Sequence, residues 1–269
     1  MSEDSAVEIT APIPAGVDPA ELATYCLMLG DDALICAQRL CEWVTNAPEL
    51  EEELALANIA LDLIGQTRML LSRAGHAEGQ GRDEDTLAYR RGERQFRNVA
   101  LAELGHGLDF GRAIAALLVF SSWRLALLAR LVHSGDPAIA AVAAKGVKEL
   151  TYHRDYAARW MVRLGDGTEV SHQRAQAGLD AVWPYVDELF TAHPVERRLA
   201  ALGVAVDPAQ TRGEVDAVLA GVLARARLRR PQVPPDTSAD GRDGVHTAGF
   251  GPLLAELQGV ARLHPEATW

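Results

Sequence analysis

The sequence predicts an all-α fold, because three of its features are typical of helices packed around one core. Apolar residues return at three- and four-residue steps along most of the chain, and alternating β-branched stretches are few. Asp18 and Asp136 are each followed by proline, and an aspartate cap before proline is a typical helix start. With 269 residues and 48% hydrophobic content, the chain can bury one substantial core. We expect residues 1–17 to form a flexible leader, and residues 18–269 to form a single helical domain that includes the C-terminal loop and helix.

Two pairs of long helices are predicted, and each pair is joined by a short turn. The four helices are expected over residues 21–44, 49–74, 96–133 and 136–164. Breaks at 46–48 and 134–135 separate the members of each pair, and helices joined by such short turns lie antiparallel. Two antiparallel helical hairpins joined by a longer connection make a ferritin-like four-helix bundle. Additional helices are expected over residues 85–91, 171–190 with a kink at Pro184, 208–228 and 252–262, with loops at 75–84 and 231–244.

Composition and charge exclude several classes of protein. The net charge of -11 argues against a nucleic-acid groove or an anionic membrane as the main partner. The sequence has no run of about 18 uninterrupted apolar residues, so no membrane span is predicted. Residues 1–16 lack the cationic segment and apolar run of a signal peptide. Cys26, Cys36 and Cys41 lie in one apolar helical stretch without metal-ligand spacing, which favours reduced core residues and a cytoplasmic location.

A ferritin-like bundle can be tested for a di-iron centre, because that centre requires a defined ligand set. One Glu comes from each of two helices, and a Glu-x-x-His pair comes from each of the other two. Counting outward from the turn at Gly135 places Glu149 opposite Ser121, with Ser122 beside it. The third position after Glu149 is Tyr152 rather than histidine, and His153 is one step further along the helix. This half of the bundle therefore lacks both an opposing carboxylate and an imidazole.

The first hairpin offers a carboxylate pair but no histidine. Counting from the turn near residue 47 places Asp62 opposite Asp32, with Asp31 beside it, and the third position after Asp62 is Gly65. The carboxylates of both hairpins have two interpretations, a carboxylate-bound metal or hydrogen-bonding remnants in the bundle. We favour the second, because the iron ligand set is incomplete on both sides.

Several stretches of the chain resemble one family of proteins. The similar segments are LGDD at 29–32, QRLCEW at 38–43, APELE at 47–51, LALANIALDLIGQ at 54–66, DEDTLA at 83–88, RLGDGT at 163–168, GVHT at 244–247 and LLAELQ at 253–258. Together with residues 145–153, they resemble the structural, PaaC-type subunits of phenylacetyl-coenzyme A epoxidase, a ring-1,2-monooxygenase, over residues 20–269. Ser121 departs from the pattern, because related members carry an acidic residue there.

The resemblance implies a non-catalytic subunit of a multicomponent monooxygenase that epoxidises the aromatic ring of phenylacetyl-coenzyme A in phenylacetate catabolism. It implies a hetero-oligomer with a homologous ferritin-like catalytic subunit, which holds the di-iron centre and binds the thioester, and a reductase subunit that supplies electrons. No catalytic, cofactor-binding or metal-binding residue is expected in this chain. Two alternatives stay open, namely an active di-iron oxygenase or oxidase and a helical protein without a redox partner.

The densest basic cluster also has two interpretations. Arg225, Arg227, Arg229 and Arg230 suit a phosphate, so they are candidates for contacting the coenzyme A moiety of the substrate. Cations are also favoured at the C-terminal end of a helix, where they oppose its dipole, and we prefer this interpretation.

Overall fold

The structure is a computed structural model, and it describes residues 9–105, 107 and 109–267. Within these residues the chain is α-helical and has no β-strand apart from an isolated bridge between Asp240 and Val245. The helices are α1 (Pro19–Cys41), α2 (Leu50–Glu78), α3 (Glu84–Tyr89), α4 (Phe110–Leu131), α5 (Pro137–Gly165), α6 (Glu169–Val182), α7 (Pro194–Ala201), α8 (Arg212–Arg225) and α9 (Phe250–Leu263). The predicted all-α fold is confirmed.

Helices α1, α2, α4 and α5 form the ferritin-like bundle. α1 packs along α2, α4 packs along α5, and α2 meets α5, while α6 and α8 cover α4 and α5. Gly30 allows the close approach of α1 and α2, because a Cβ atom there would lie only 3.0 Å from Leu71 Cδ2. Asp18 and Asp136 cap α1 and α5 as predicted, each accepting a hydrogen bond from a backbone N–H group in the first turn. The core therefore lies between two capped helical hairpins.

The predicted helix over 96–133 is wrong in its first part. The segment before α4 is extended, with a short 3-10 turn, and α4 begins only at its aspartate cap. The backbone N–H groups of Arg97 and Val99 donate to buried carboxylates of α1, at 2.9 Å to Asp31 Oδ2 and 2.8 Å to Asp32 Oδ1. These amides are engaged by carboxylates from a distant part of the chain, so they are not available for helical bonds.

Other helix boundaries also differ from the predictions. α2 continues to Glu78 and ends at Gly79, which has a left-handed φ of 66°. The predicted helix over 171–190 stops at Val182, and Pro184 leads into two 3-10 turns. The helix expected over 208–228 is shorter, because its first residues form a 3-10 turn and α8 covers only the middle of that range.

Helix α7 was not predicted, although its first residues carry a recognisable signal. Pro194 occupies the first helical position, and the Glu196 carboxylate accepts a hydrogen bond from the His193 N–H group at 2.8 Å. A proline followed two residues later by glutamate is typical of a helix start. The helix has only eight residues, so its apolar periodicity is too short to detect by counting.

The described part of the expected leader is attached to the bundle. Arg73 Nη1 donates to the Ile9 and Ala11 carbonyl oxygens at 2.8 and 2.7 Å, and its guanidinium pairs with the Asp136 carboxylate at 2.5 Å. Arg73 and Asp136 are both fully buried, so this contact ties residues 9–11 to α2 and to the start of α5. Residues 1–8 lie outside the described part of the chain.

Two of the described helices, α2 and α4, are long and apolar enough to cross a membrane by length and composition. The most apolar stretch of α4 is 89% buried inside the bundle, as expected of a core helix, whereas that of α2 is only 44% buried.

The expectation that all three cysteines lie in the core is wrong for Cys41, which is exposed as the last residue of α1. Burial raises the pKa of the Cys36 thiol to about 12.

Candidate functional site

The two aspartates of α1 are bound by arginines from outside the four bundle helices. Arg91 pairs with the Asp31 carboxylate through both terminal nitrogens, with Nη1 at 2.9 Å from Oδ2. Arg242 pairs with Asp32 in the same two-point manner, at 3.0 and 2.9 Å. Both carboxylates are fully buried. For Arg242, burial acts to lower the pKa, but the charges of Asp32 and Glu196 and the hydrogen bond to Asp32 together outweigh this effect and raise it.

Asp62 pairs with α5 rather than with α1. Its Oδ2 lies 2.9 Å from His153 Nε2, and the Asp62 side chain is partly exposed while that of His153 is fully buried. The expected contact of Asp62 with Asp31 or Asp32 is not among the hydrogen bonds of the described residues. The predicted register of the first hairpin is wrong by about one helical turn. The prediction places Gly30 opposite residue 64, but the Gly30 carbonyl oxygen accepts a hydrogen bond from Thr67 Oγ1. Counting from the turn assumes that both helices begin level with it, but the long α2 extends beyond the end of α1.

The second hairpin register is wrong by a similar amount. The prediction places Gly146 opposite Arg124. In the structure Gly146 packs against Leu128, and a Cβ atom added to Gly146 would lie only 2.5 Å from Leu128 Cδ1. No hydrogen bond joins Ser121 to Glu149 among the described residues, and the Ser121 hydroxyl donates to the Leu117 carbonyl oxygen of its own helix at 2.6 Å. Ser122 Oγ is buried without a hydrogen-bond partner among the described residues.

Tyr152 points away from the bundle, although it stands three residues after Glu149, where the histidine of a di-iron ligand pair would point inward. Its side chain is exposed, and the inward position is taken by His153. The reason is geometric. Glu149 stands at the edge of the α5 contact face, so a residue three positions on is rotated by about 60° towards solvent, and one four positions on is rotated by about 40° towards the core.

A polar chain through the bundle connects α4, α2 and α5. Arg124 Nε donates to Gln66 Oε1 at 3.0 Å, and Gln66 Nε2 donates to Glu149 Oε2 at 2.9 Å. Lys145 Nζ lies 3.4 Å from the other oxygen of Glu149, and also near Gly65, where an added Cβ atom would lie 3.7 Å from it. Arg124 is fully buried, and its Nη1 and Nη2 atoms have no hydrogen-bond partner among the described residues. Burial lowers the pKa of Arg124, while the charge of Asp32 opposes this effect. The middle of the bundle therefore contains a guanidinium cation.

The residues present do not fit a di-iron centre. Asp31 and Asp32 are each bound by an arginine, and Glu149 by a glutamine and a lysine. Over residues 9–105, 107 and 109–267, no group of three or more His, Cys, Asp or Glu side chains is arranged to hold a metal ion. The carboxylates of Asp31, Asp32 and Glu149 are therefore each engaged by side chains of this chain itself.

Comparison with known proteins assigns the chain to a family. Residues 12–269 match the family model described as phenylacetic acid catabolic protein. The chain belongs to the phenylacetic acid catabolic protein family. It is similar to one of the subunits of the 1,2-phenylacetyl-CoA epoxidase of Escherichia coli (strain K12), with 43% identity over 249 residues, which cover 93% of this chain and 99% of the relative. The resemblance expected from the sequence motifs is confirmed.

This member of the family has a second buried polar cluster that the sequence motifs did not indicate. Glu103 accepts hydrogen bonds from Asn98 Nδ2 at 2.8 Å and from the Thr247 backbone N–H at 2.8 Å, and its Oε1 lies 2.6 Å from His246 Nδ1. The His246 ring stacks on Phe250 with 4.0 Å between the ring centroids. The cluster joins the segment before α4 to the C-terminal region. Glu103 lies 143 and 144 positions from its two C-terminal partners, so no local pattern indicates these contacts.

The arginine cluster of this family member lies on the surface, and half of it is paired. Arg227 Nη1 lies 3.2 Å from Asp166, and Arg230 Nη2 lies 2.9 Å from Asp216, with its guanidinium 5.2 Å from the centre of the Trp183 ring. Contact of this cluster with coenzyme A stays the less favoured of its two interpretations.

Stability is expected to fall as the pH drops below about 6.5, the ordinary pKa of histidine, in part through His153. Burial lowers the pKa of His153 below that ordinary value, and the hydrogen bond to Asp62 opposes this effect only partly. In this range the unfolded chain therefore binds a proton at this residue that the folded chain resists, and unfolding is favoured. The expected result is a smaller loss of stability between about pH 7.5 and 5.5 in His153→Gln than in the unsubstituted protein, measured by denaturant unfolding. An equal loss in both proteins would contradict this role.

Proposed function

We propose that this chain is the non-catalytic subunit of a multicomponent di-iron monooxygenase, which epoxidises the aromatic ring of phenylacetyl-coenzyme A in phenylacetate catabolism. The similarity to a subunit of the Escherichia coli epoxidase supports the reaction and the existence of other subunits. The observation that supports the non-catalytic role is the row of hydrogen bonds from Arg124 through Gln66 to Glu149 inside the bundle.

The charges inside the bundle oppose metal binding. A buried guanidinium in a medium of low dielectric constant repels a second cation strongly, so Arg124 disfavours a metal ion in the bundle interior. Asp31 and Asp32 would have to release Arg91 and Arg242 before they could bind a metal, which would leave two buried arginines unpaired. A chain with this interior contributes to the reaction through assembly rather than through redox chemistry.

The partner proposed for this chain is a homologous ferritin-like catalytic subunit, which holds the di-iron centre and binds the thioester. A reductase subunit supplies electrons to the complex, and the whole complex works in the cytoplasm. We propose no cofactor for this chain itself. A second candidate function, a di-iron oxygenase in its own right, is the alternative that metal analysis separates from the first.

The purified chain, expressed with added iron, is expected to contain much less than the two irons of a di-iron centre. The physical reason is the occupied ligand positions and the buried Arg124 cation. Iron is measured by elemental analysis, and a di-iron site by its optical and Mössbauer signals, with the catalytic subunit prepared in parallel as the positive control. Two irons per chain together with a di-iron signal would establish the alternative function instead.

A further inference from the structure

Arg124 differs from the other buried arginines because no carboxylate of the described residues pairs with it. Three other arginines are buried in the described part of the chain, and each is bound by an aspartate; the pairs are Arg73–Asp136, Arg91–Asp31 and Arg242–Asp32. Arg124 is fully buried too, but its Nε atom donates to the amide oxygen of Gln66, at 3.0 Å. Its terminal nitrogens Nη1 and Nη2, which carry most of the N–H donors, bind no acceptor among the described residues.

Two carboxylates lie in the surroundings of Arg124, and both already bind other cations. The charge of Asp32 favours the charged form of Arg124, but both Asp32 oxygens accept hydrogen bonds from Arg242. Glu149 is joined to Arg124 through the Gln66 amide, and a lysine ammonium group lies 3.4 Å from its other oxygen. Burial lowers the pKa of Arg124 in spite of the charge of Asp32, whereas the pKa of Arg242 is raised. The charge of Arg124 is therefore not neutralised by a carboxylate.

A small cavity lies near this guanidinium. Its volume is about 20 Å³, and its walls include Phe120, one helical turn before Arg124, whose ring centre is 5.9 Å from Arg124 Cζ. The Cys36 thiol of α1 also lines the cavity, and burial raises its pKa to about 12, so the thiol stays protonated and is a weak hydrogen-bond donor. Among the described residues the walls include no carboxylate. A cavity of this size holds one particle as large as a water molecule.

We infer that the interior of the bundle binds one chloride ion, held by Arg124 Nη1 and Nη2 on the side of the Cys36 thiol. Hydrogen bonds from a guanidinium to an anion are among the strong ones, and a low dielectric constant strengthens the attraction of the charges. A water molecule would satisfy the N–H donors but would leave the buried charge without a counter-ion, which is costly. Phosphate and the coenzyme A tail are too large for the cavity. The inference does not depend on the proposed function, because it needs no partner subunit.

The first test is urea unfolding of the purified full-length chain in increasing sodium chloride, with sodium gluconate keeping the ionic strength constant. A ligand that binds only the folded state stabilises it more as its concentration rises above the Kd, so the unfolding midpoint is expected to rise with chloride. Arg124→Met is expected to reduce the apparent affinity for chloride at least about tenfold, because it removes the donors and the charge. Arg130→Met is the matched control. Arg130 lies on the same helix and pairs with Glu214 at the surface, so this variant is expected to keep the full chloride dependence.

The second test locates the anion in the unsubstituted protein, so it is decisive even if Arg124→Met does not fold. Crystals are grown with sodium bromide in place of chloride, because bromide can replace chloride and is detected by its anomalous scattering. An anomalous peak in hydrogen-bonding contact with Arg124 Nη1 or Nη2 is the expected result. Water at these atoms without an anomalous peak would overturn the inference. An equal chloride dependence in Arg124→Met and in the unsubstituted protein would also overturn it, because the anions would then bind elsewhere.

Discussion

The catalytic subunit is expected to lose ring-epoxidation activity when this chain is omitted, and to regain it when the chain is added back. A partner that binds only one conformation of a protein stabilises that conformation, so this chain can hold the active-site helices of its partner in place without contacting the metal. The measurement is turnover of phenylacetyl-coenzyme A by the purified subunits with the reductase, with and without this chain. Full activity of the catalytic subunit alone would contradict the scaffold role.

The same assay tests whether the remaining carboxylates of this chain have a chemical role. Asp62→Ala combined with Glu149→Ala is expected to change turnover only as far as it changes folding or assembly, because both groups bind side chains of this chain itself. Asp62→Asn with Glu149→Gln is the matched control, since it removes the charges and keeps the shapes. A double variant that folds and assembles normally but does not epoxidise would show that these carboxylates take part in the chemistry.

Asp32→Ala is expected to lower the free energy of unfolding by about 3–5 kcal/mol, because it leaves the buried guanidinium of Arg242 without its partner. It also removes the acceptor of the Val99 backbone N–H group. The measurement is urea unfolding followed by circular dichroism. A loss below about 1 kcal/mol would show that water or another group replaces the carboxylate.

Two further variants identify the unpaired charge as the cause. Asp32→Asn combined with Arg242→Met removes both charges and is expected to be less destabilising than Asp32→Ala, because no buried ion is left alone. Asp216→Ala removes a carboxylate that pairs with Arg212 and Arg230 at the surface, and it is expected to cost at most about 1 kcal/mol.

The parts of the fold that could be predicted are those with local signals. Asp18 and Asp136 mark helix starts that need only the next few residues, and both are where the sequence places them. The extended segment around Arg97 could not be predicted, because its amides bind carboxylates 66 and 67 positions earlier in the chain. Helix registers were also out of reach, because a count from the turn cannot detect that one helix extends past the end of the other.

The candidate site was predicted in its residue types but not in its contacts. Asp31, Asp32 and Glu149 are partly or fully buried polar groups, as expected of remnants in a bundle. Their arginine partners could not be assigned, because any of 24 arginines satisfies the charge requirement equally well in the sequence. One signal was present, since Arg124 stands alone in the middle of the most apolar helix of the chain. A charged residue in such a stretch is a candidate for an internal ion.

The pairing of Asp32 with Arg242 also affects when the bundle can reach its final packing during synthesis. The two residues are 210 positions apart, so all four bundle helices leave the ribosome well before the arginine that neutralises this carboxylate. Until then the bundle must either expose the middle of α1 to water or bury an unpaired charge. The last tenth of the chain therefore decides when the first helix can close into its final position.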